Sequence, residues 1–259
     1  MGEVVKQNQQ QRQDKLAELI FSRGVANVDE LIQLVDVSPM TLYRDLAALE
    51  SRRVIHRSRG EVSAVATSMS ETTVGFRSRQ EIDEKAAVGR LAAEHLASRY
   101  SIFFDDSTTV LSAIDNLTET AQKTFISNSL TTCRKLASVD HADLITIGGS
   151  YRHQLDSFFG PMAMRALETL TPSVTVVGTA AIKNNVLYHP YSEVAAFKNR
   201  AVQRAEYAIL LATASKFTRT SLYKMAEVSD FDMVIVDWLV PQEIIDQMST
   251  QTRVEVARI

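Results

Sequence analysis

The chain has 259 residues, 45% apolar and 23% charged, with a formal net charge of −3 at pH 7. That profile is ordinary for a globular protein and leaves room for one large domain or two smaller ones. Its single cysteine, Cys133, excludes an internal disulfide, no apolar run approaches 20 residues, and the N-terminus lacks a signal-peptide pattern; these features point to a reducing cytoplasm and away from the membrane.

Residues 1–13 are polar and Gln-rich and read as a frayed lead-in. A first helix is expected from Arg12 to Arg23, with Leu16, Leu19 and Ile20 facing inward and Gly24 as its C-cap. Asn27 and Glu30 form a capping-box-like pair that opens a short helix with Leu31 and Leu34 inside. The link Val35-Asp36-Val37 leads to a third helix, where Ser38 caps the first turn and Pro39 stands at the first helical position. Leu42, Leu46 and Leu49 share its buried side, and Met40, Tyr43, Arg44 and Ala47 project from the opposite side. One cation, one phenol, one thioether and one methyl suit a DNA major groove, where Arg reads guanine and small apolar groups meet thymine methyls. Two short helices joined so tightly make a helix-turn-helix whose second helix is the reader. Val54-Ile55, the turn Arg57-Ser58-Arg59-Gly60 and Glu61-Val62-Ser63 add a wing. Ser38 and Thr41 at the helix start, with Arg57 and Arg59 on the wing, are the expected phosphate contacts. Charge is distributed to match: residues 38–60 carry a net +3 and residues 61–259 a net −4.

The DNA-binding domain is thus assigned to residues 1–65. Residues 66–80 are rich in Ser and Thr without periodicity and read as a linker, within which Val74-Gly75-Phe76 can dock on a domain. Residues 81–259 form the second domain. A helix from Glu81 carries Ile82, Ala86, Leu91 and Leu96, and six short apolar runs follow at 101–104, 124–127, 144–147, 174–177, 208–211 and 233–236. Helical segments between most of them imply a largely parallel sheet covered on both faces, an α/β domain. Ligands of such sheets bind beyond the carboxyl ends of the strands. There the chain places Asp105-Asp106-Ser107-Thr108-Thr109, Ser127-Asn128-Ser129, Gly148-Gly149, Gly178-Thr179-Ala180 and Ala212-Thr213-Ala214-Ser215-Lys216. Small hydroxyls, amides, glycines and one Lys on a common rim can cradle a phosphate and the hydroxyls of a sugar.

Ser38-x-x-Thr41-Leu42-x-Arg44-Asp45-Leu46-x-x-Leu49 resembles the recognition helix of the DeoR family of bacterial transcription regulators. The family usually has two adjacent arginines where this chain has Tyr43-Arg44, and usually ends its wing in His-Gly-Gly where this chain has Ser58-Arg59-Gly60-Glu61. The resemblance continues through Asp105-x-x-Thr108-Thr109, Ser127-Asn128-Ser129, Gly148-Gly149, Gly160, Glu193, Lys198 and Ser215-Lys216-Phe217. Asp106 and Ser107 stand where the family has Ser and Gly, and Thr213 where it has Asp. The resemblance implies a C-terminal domain similar in fold to ribose-5-phosphate isomerase, with a phosphorylated sugar or related metabolite as effector.

The expected effector contacts are Asp105, Thr108, Thr109, Asn128, Ser129, Gly149 and Lys216. No Walker A, Gly-x-Gly-x-x-Gly or Cys/His metal spacing occurs, so no cofactor or metal is expected. The chain reads as a repressor of a carbohydrate-metabolism operon, with operator DNA as partner and a homodimer or homotetramer as its assembly, since repeated sites need two readers. Two alternatives stay open. One is a sugar-phosphate isomerase or deaminase, for which Asp105, Asp106, Glu193, His153 and His189 are candidate acid–base groups, none in a motif that specifies catalysis. The other is a regulator whose C-terminal half serves only oligomerisation.

Overall fold

The computed structural model describes residues 9, 12–13, 15–17, 19–20, 23, 25–35, 37–52, 54–64, 74–118, 120–140 and 142–259. The C-cap proposed at Gly24, Asp36 of the inter-helix link, most of the lead-in and residues 66–73 of the linker fall outside these residues. The chain divides into two compact units, Met1–Thr72 and Thr73–Ile259.

In the first unit the described residues from 9 to 23 are helical, with Leu16, Ala17 and Ile20 buried. Helix Val28–Leu34 starts on Asn27, whose side chain accepts the Asp29 amide, and helix Pro39–Ser51 starts on Ser38, which accepts the Thr41 amide. Leu42, Leu46 and Leu49 are buried, as the periodicity requires. Leu34 is not: it is 53% exposed, and Val28 and Leu31 form the inner side of its helix instead. The wing has three strands. β1 (Val25–Asn27), which the sequence does not announce, pairs with β3 (Glu61–Ala64), and β3 pairs with β2 (Ile55–Ser58). Ser58 faces Glu61 across a two-residue turn, and both turn residues, Arg59 and Gly60, have positive φ (50° and 82°), the backbone that a tight hairpin of this hand demands.

The second unit is built on seven parallel strands. In spatial order these are β15 (Arg253–Ala257), β14 (Met233–Asp237), β12 (Ala208–Ala212), β9 (Val174–Gly178), β4 (Ser101–Phe104), β5 (Thr124–Ser127) and β6 (Asp143–Thr146). β9 and β12 are buried at every position, which explains their unbroken apolar sequence. Helices Ile82–Leu96, Thr108–Ile114 and Leu130–Leu136 cover one face. Helices Pro161–Glu168 and Ser192–Arg204 cover the other, with helix Gln242–Ser249 and a small antiparallel sheet of β10 (Ala181–Lys183), β11 (Val186–His189) and β13 (Tyr223–Glu227). A hairpin of β7 (Ser150–Arg152) and β8 (Ser157–Phe159) follows β6.

Two segments depart from what the sequence pattern predicts. Within the segment read as linker, Val74–Arg77 is a helical turn of the second unit with Phe76 buried. The helix after Glu81 turns Ala87, Val88, Gly89, Ala92, Ala93 and Leu96 inward and leaves Ile82 61% exposed. Its inner side is small because it crosses helix Thr108–Ile114 closely: a Cβ on Gly89 would lie 2.4 Å from Ser112 Oγ and 2.6 Å from the Ser112 carbonyl carbon.

Candidate functional site

On the reader helix, Met40 is 83% and Tyr43 48% exposed, and Arg44 and Ala47 are exposed beside them. The sequence expectation for this face therefore corresponds to an accessible one. Ser38 Oγ and Thr41 Oγ1 lie 2.9 Å apart at the helix start. Arg59 is exposed at the wing tip. Arg57 has an internal partner: its Nε donates to Glu50 Oε2 (2.7 Å) and its amide to Glu50 Oε1 (2.9 Å), which ties the wing to the reader helix and holds the Glu50 carboxyl below its ordinary value. Sequence reasoning missed what fixes the helix from behind. Asp45, 1% exposed, accepts Arg12 Nε (2.5 Å), Arg12 Nη2 (3.3 Å) and Gln13 Nε2 (2.8 Å). The signal was present as an acidic residue inside the Leu42/Leu46/Leu49 face.

In the second unit, Asp105, Thr108, Thr109, Asn128, Ser129 and Lys216 are all buried where strands end. At the centre is a contact between residues 93 apart. Lys198 Nζ donates to Asp105 Oδ2 (2.8 Å) and to the Gly178 carbonyl (3.3 Å), and stands 2.8 Å from Asp106 Oδ1. Asp105 also accepts the amides of Ser107 (Oδ1, 2.9 Å) and Gly178 (Oδ2, 2.8 Å). Burial pushes the Asp105 carboxyl above its ordinary value; Lys198 opposes that and Asp106 adds to it. In the sequence Lys198 stands out only as a family landmark. Its position among Val194, Ala195, Phe197 and Ala201, the inner side of its helix, is the mark of a lysine with a buried partner.

Ser129 Oγ accepts the Thr132 amide and caps its own helix, and Asn128 Nδ2 donates to the Phe158 carbonyl (3.0 Å), joining this loop to the β7–β8 hairpin. Gly149 packs under that hairpin: a Cβ there would lie 2.5 Å from the Phe159 carbonyl oxygen. Lys216 sits in the short helical turn Ala214–Thr218. Its charge reaches Glu81: burial works against the Glu81 carboxylate, yet Lys216 with Ser215, Lys85 and Arg219 outweighs it and the carboxyl sits below its ordinary value. Lys85 Nζ donates to the carbonyls of Arg77 and Gln80 (2.6 Å to the latter), and burial brings its pKa down to about 8. Several buried polar atoms on this rim have no hydrogen-bond partner: both carboxylate oxygens of Asp106, Asn128 Oδ1 and Thr213 Oγ1. Among the described residues no group of three His, Cys, Asp or Glu could hold a metal ion, and no helix is long and apolar enough to cross a membrane.

Comparison with known proteins supplies the family. Residues 12–68 match the DeoR-like helix-turn-helix domain, and residues 80–238, more than half of the chain, match the DeoR C-terminal sensor domain. The chain is 29% identical over 230 residues to the uncharacterized HTH-type transcriptional regulator YulB of Bacillus subtilis, covering 88% of each. It is 25% identical over 231 residues to the glycerol-3-phosphate regulon repressor of Escherichia coli, covering 88% of this chain and 91% of that one. Ribose 5-phosphate isomerase A from Neisseria gonorrhoeae aligns at a TM-score of 0.36 and 14% identity, over 51% of this chain and 52% of that one, a likeness too slight to speak to chemistry. With the helix-turn-helix model matched by its first unit and the sensor-domain model by its second, the chain belongs to the DeoR family of transcription regulators.

Proposed function

We propose that the protein represses a carbohydrate-metabolism operon in the cytoplasm, and that a phosphorylated sugar or related metabolite bound by the second unit controls it. The observation that carries the sensing half is the cluster of buried polar side chains at the carboxyl ends of the central strands, with Asp106, Asn128 and Thr213 left partly unmatched. A core does not need them; a polar ligand does. The exposed Met40, Tyr43, Arg44 and Ala47 read base edges, while Ser38, Thr41 and Arg59 meet phosphates; Arg57 acts by bracing the wing through Glu50. Asp105, Thr108, Thr109, Asn128, Ser129 and Lys216 serve the effector, with Gly149 seating the hairpin beside them. The E. coli relative is named for a glycerol-3-phosphate regulon, which favours a small phosphorylated effector here as well. A homodimer or homotetramer supplies the paired readers that repeated operators require.

The test is a thermal-shift screen over sugar phosphates on the full chain, since a ligand of the native state alone raises its melting temperature. Stabilisation by one or a few of them is expected. Steady-state isomerisation or deamination of the stabilising compound would instead assign an enzyme.

A further inference from the structure

Several amides around the first two loops of the rim are already engaged. An anion at a helix start binds backbone N–H groups that have no partner. Here the Ser107 and Gly178 amides go to Asp105, the Thr109 amide to Ser107 Oγ (3.2 Å), the Ser129 amide to Ser127 Oγ (3.1 Å), the Thr132 amide to Ser129 Oγ (3.3 Å) and the Leu130 amide to the Asp156 carbonyl (2.8 Å). Ser107 also fills the space over Gly178, where a Cβ would lie 2.2 Å from its Oγ.

Beside the hydroxyls of Thr213 and Ser215, the open side-chain atoms here, on Asp106 and Asn128, accept hydrogen bonds. Formally two carboxylates, Asp105 and Asp106, face the one ammonium of Lys198. That ammonium already donates to Asp105 and to the Gly178 carbonyl. Asp106, 4% exposed, has Oδ1 in ionic contact only and Oδ2 with no partner at all. Asn128, 1% exposed, spends its N–H on Phe158 and leaves Oδ1 unmatched. It follows β5 as Asp106 follows β4, and Phe104 is paired with Ser127, so the two residues stand beyond the carboxyl ends of adjacent strands. A buried negative charge in excess is costly until a donor, best a charged one, compensates it. These atoms are out of contact with solvent.

We infer that Asp106 is a specificity-determining residue of the effector site: it takes a hydrogen-bond donor of the effector, an ammonium in preference to a hydroxyl, and keeps the phosphate away from this end of the rim. The inference rests on the sugar-phosphate reading above. A phosphate carries acceptors and negative charge, the wrong partner for Asp106 and Asn128. An amino group on the sugar carries three donors and the missing positive charge.

The experiment uses the full chain as wild type, Asp106→Asn and Asp106→Ser, and has two arms. Without added ligand, Asp106→Asn leaves Lys198 with one carboxylate, and its melting temperature is expected to rise by about 2–4 °C; an unchanged or lower value would overturn the excess-charge argument. In the second arm, glucosamine 6-phosphate, glucose 6-phosphate and inorganic phosphate are titrated in thermal-shift assays. Wild type should bind the amino sugar phosphate at least about tenfold more tightly than its hydroxyl counterpart, and both variants should lose that preference, with Asp106→Ser gaining affinity for inorganic phosphate. Equal affinities in wild type, or a preference that survives both variants, would overturn the assignment. If no sugar phosphate stabilises wild type, the sugar-phosphate reading falls, while a rise in the melting temperature of Asp106→Asn would still support the unbalanced carboxylate.

Discussion

Replacing Asp45 by Ala tests how the DNA-reading helix is held. The side chain is 1% exposed and accepts three hydrogen bonds, two from Arg12 and one from Gln13. Removing one partner of a buried charge pair costs about 3–5 kcal/mol. Arg12 keeps a quarter of its side chain in water (26% exposed), so its charge is rehydrated when Asp45 goes, and the loss falls to about 2–3 kcal/mol. The amide of Gln13, 1% exposed, is then left without its acceptor and accounts for much of that figure. At about 1.4 kcal/mol per tenfold change, hydrogen exchange of the amides in Pro39–Ser51 should speed up roughly 30–150-fold in the full-length variant. Hydrogen-exchange mass spectrometry reads this peptide directly, whatever the second unit does. Asp45→Asn keeps the shape and one acceptor and should show a smaller increase. Exchange within about threefold of wild type for Asp45→Ala would mean that the apolar side of Leu42, Leu46 and Leu49 positions the helix alone, and the role given to Arg12 and Gln13 would be wrong.

Arg44→Ala should weaken operator binding by about 1–3 kcal/mol at fixed salt, with hydrogen exchange of the helix unchanged; unaltered affinity would remove Arg44 from the base-reading set. Lys216→Ala should leave basal operator binding in place and abolish the response to the metabolite, as measured by anisotropy titrations with and without it. Gly89→Val should lower the melting temperature of the full chain, because its Cβ meets the backbone of Ser112; an overpacked contact of this kind costs about 1–3 kcal/mol, or roughly 2–12 °C. Lys85 gives a pH signature. Its pKa is about 8 in the fold against 10.5 in the open chain, so between those values the unfolded state binds more protons and stability due to this group rises with pH. The stability of wild type relative to Lys85→Met should therefore climb between pH 8 and 10.5 in denaturant titrations, by at most about 1.4 kcal/mol per pH unit near the middle of that range, and a flat or falling difference would contradict the lowered pKa of buried Lys85.

The sequence was most legible where one physical demand acts alone. β4, β5, β9, β12 and β14 are buried on both faces and announce themselves as apolar runs. β15 was overlooked because it is an edge strand: Arg253 and Glu255 alternate with Val254 and Val256, and Glu255 pairs across to His95 at 2.8 Å. β13, which reads Tyr-Lys-Met-Ala-Glu, hides its period for the same reason. At the site, the loops could be placed on one rim from strand ends alone, but their internal bonding could not. Whether a Ser caps its own helix, as Ser107 and Ser129 do, or faces a ligand depends on loop geometry that short polar sequences share. The Lys198–Asp105 contact joins residues 93 apart, and no local pattern encodes such a pairing. Arg57 shows the converse, a cation assigned to DNA by its place on the wing that Glu50 claims from seven residues away.

The most direct measurement is operator affinity of the full chain, by fluorescence anisotropy, with and without the sugar phosphate that most raises its melting temperature. A sensor that governs a reader must bind its metabolite with different affinity in the DNA-competent and DNA-incompetent states. The dissociation constant should therefore move by at least about fivefold when the metabolite is added, and should stop moving in Lys216→Ala. A compound that stabilises the protein yet leaves operator affinity untouched would show that the two units do not communicate.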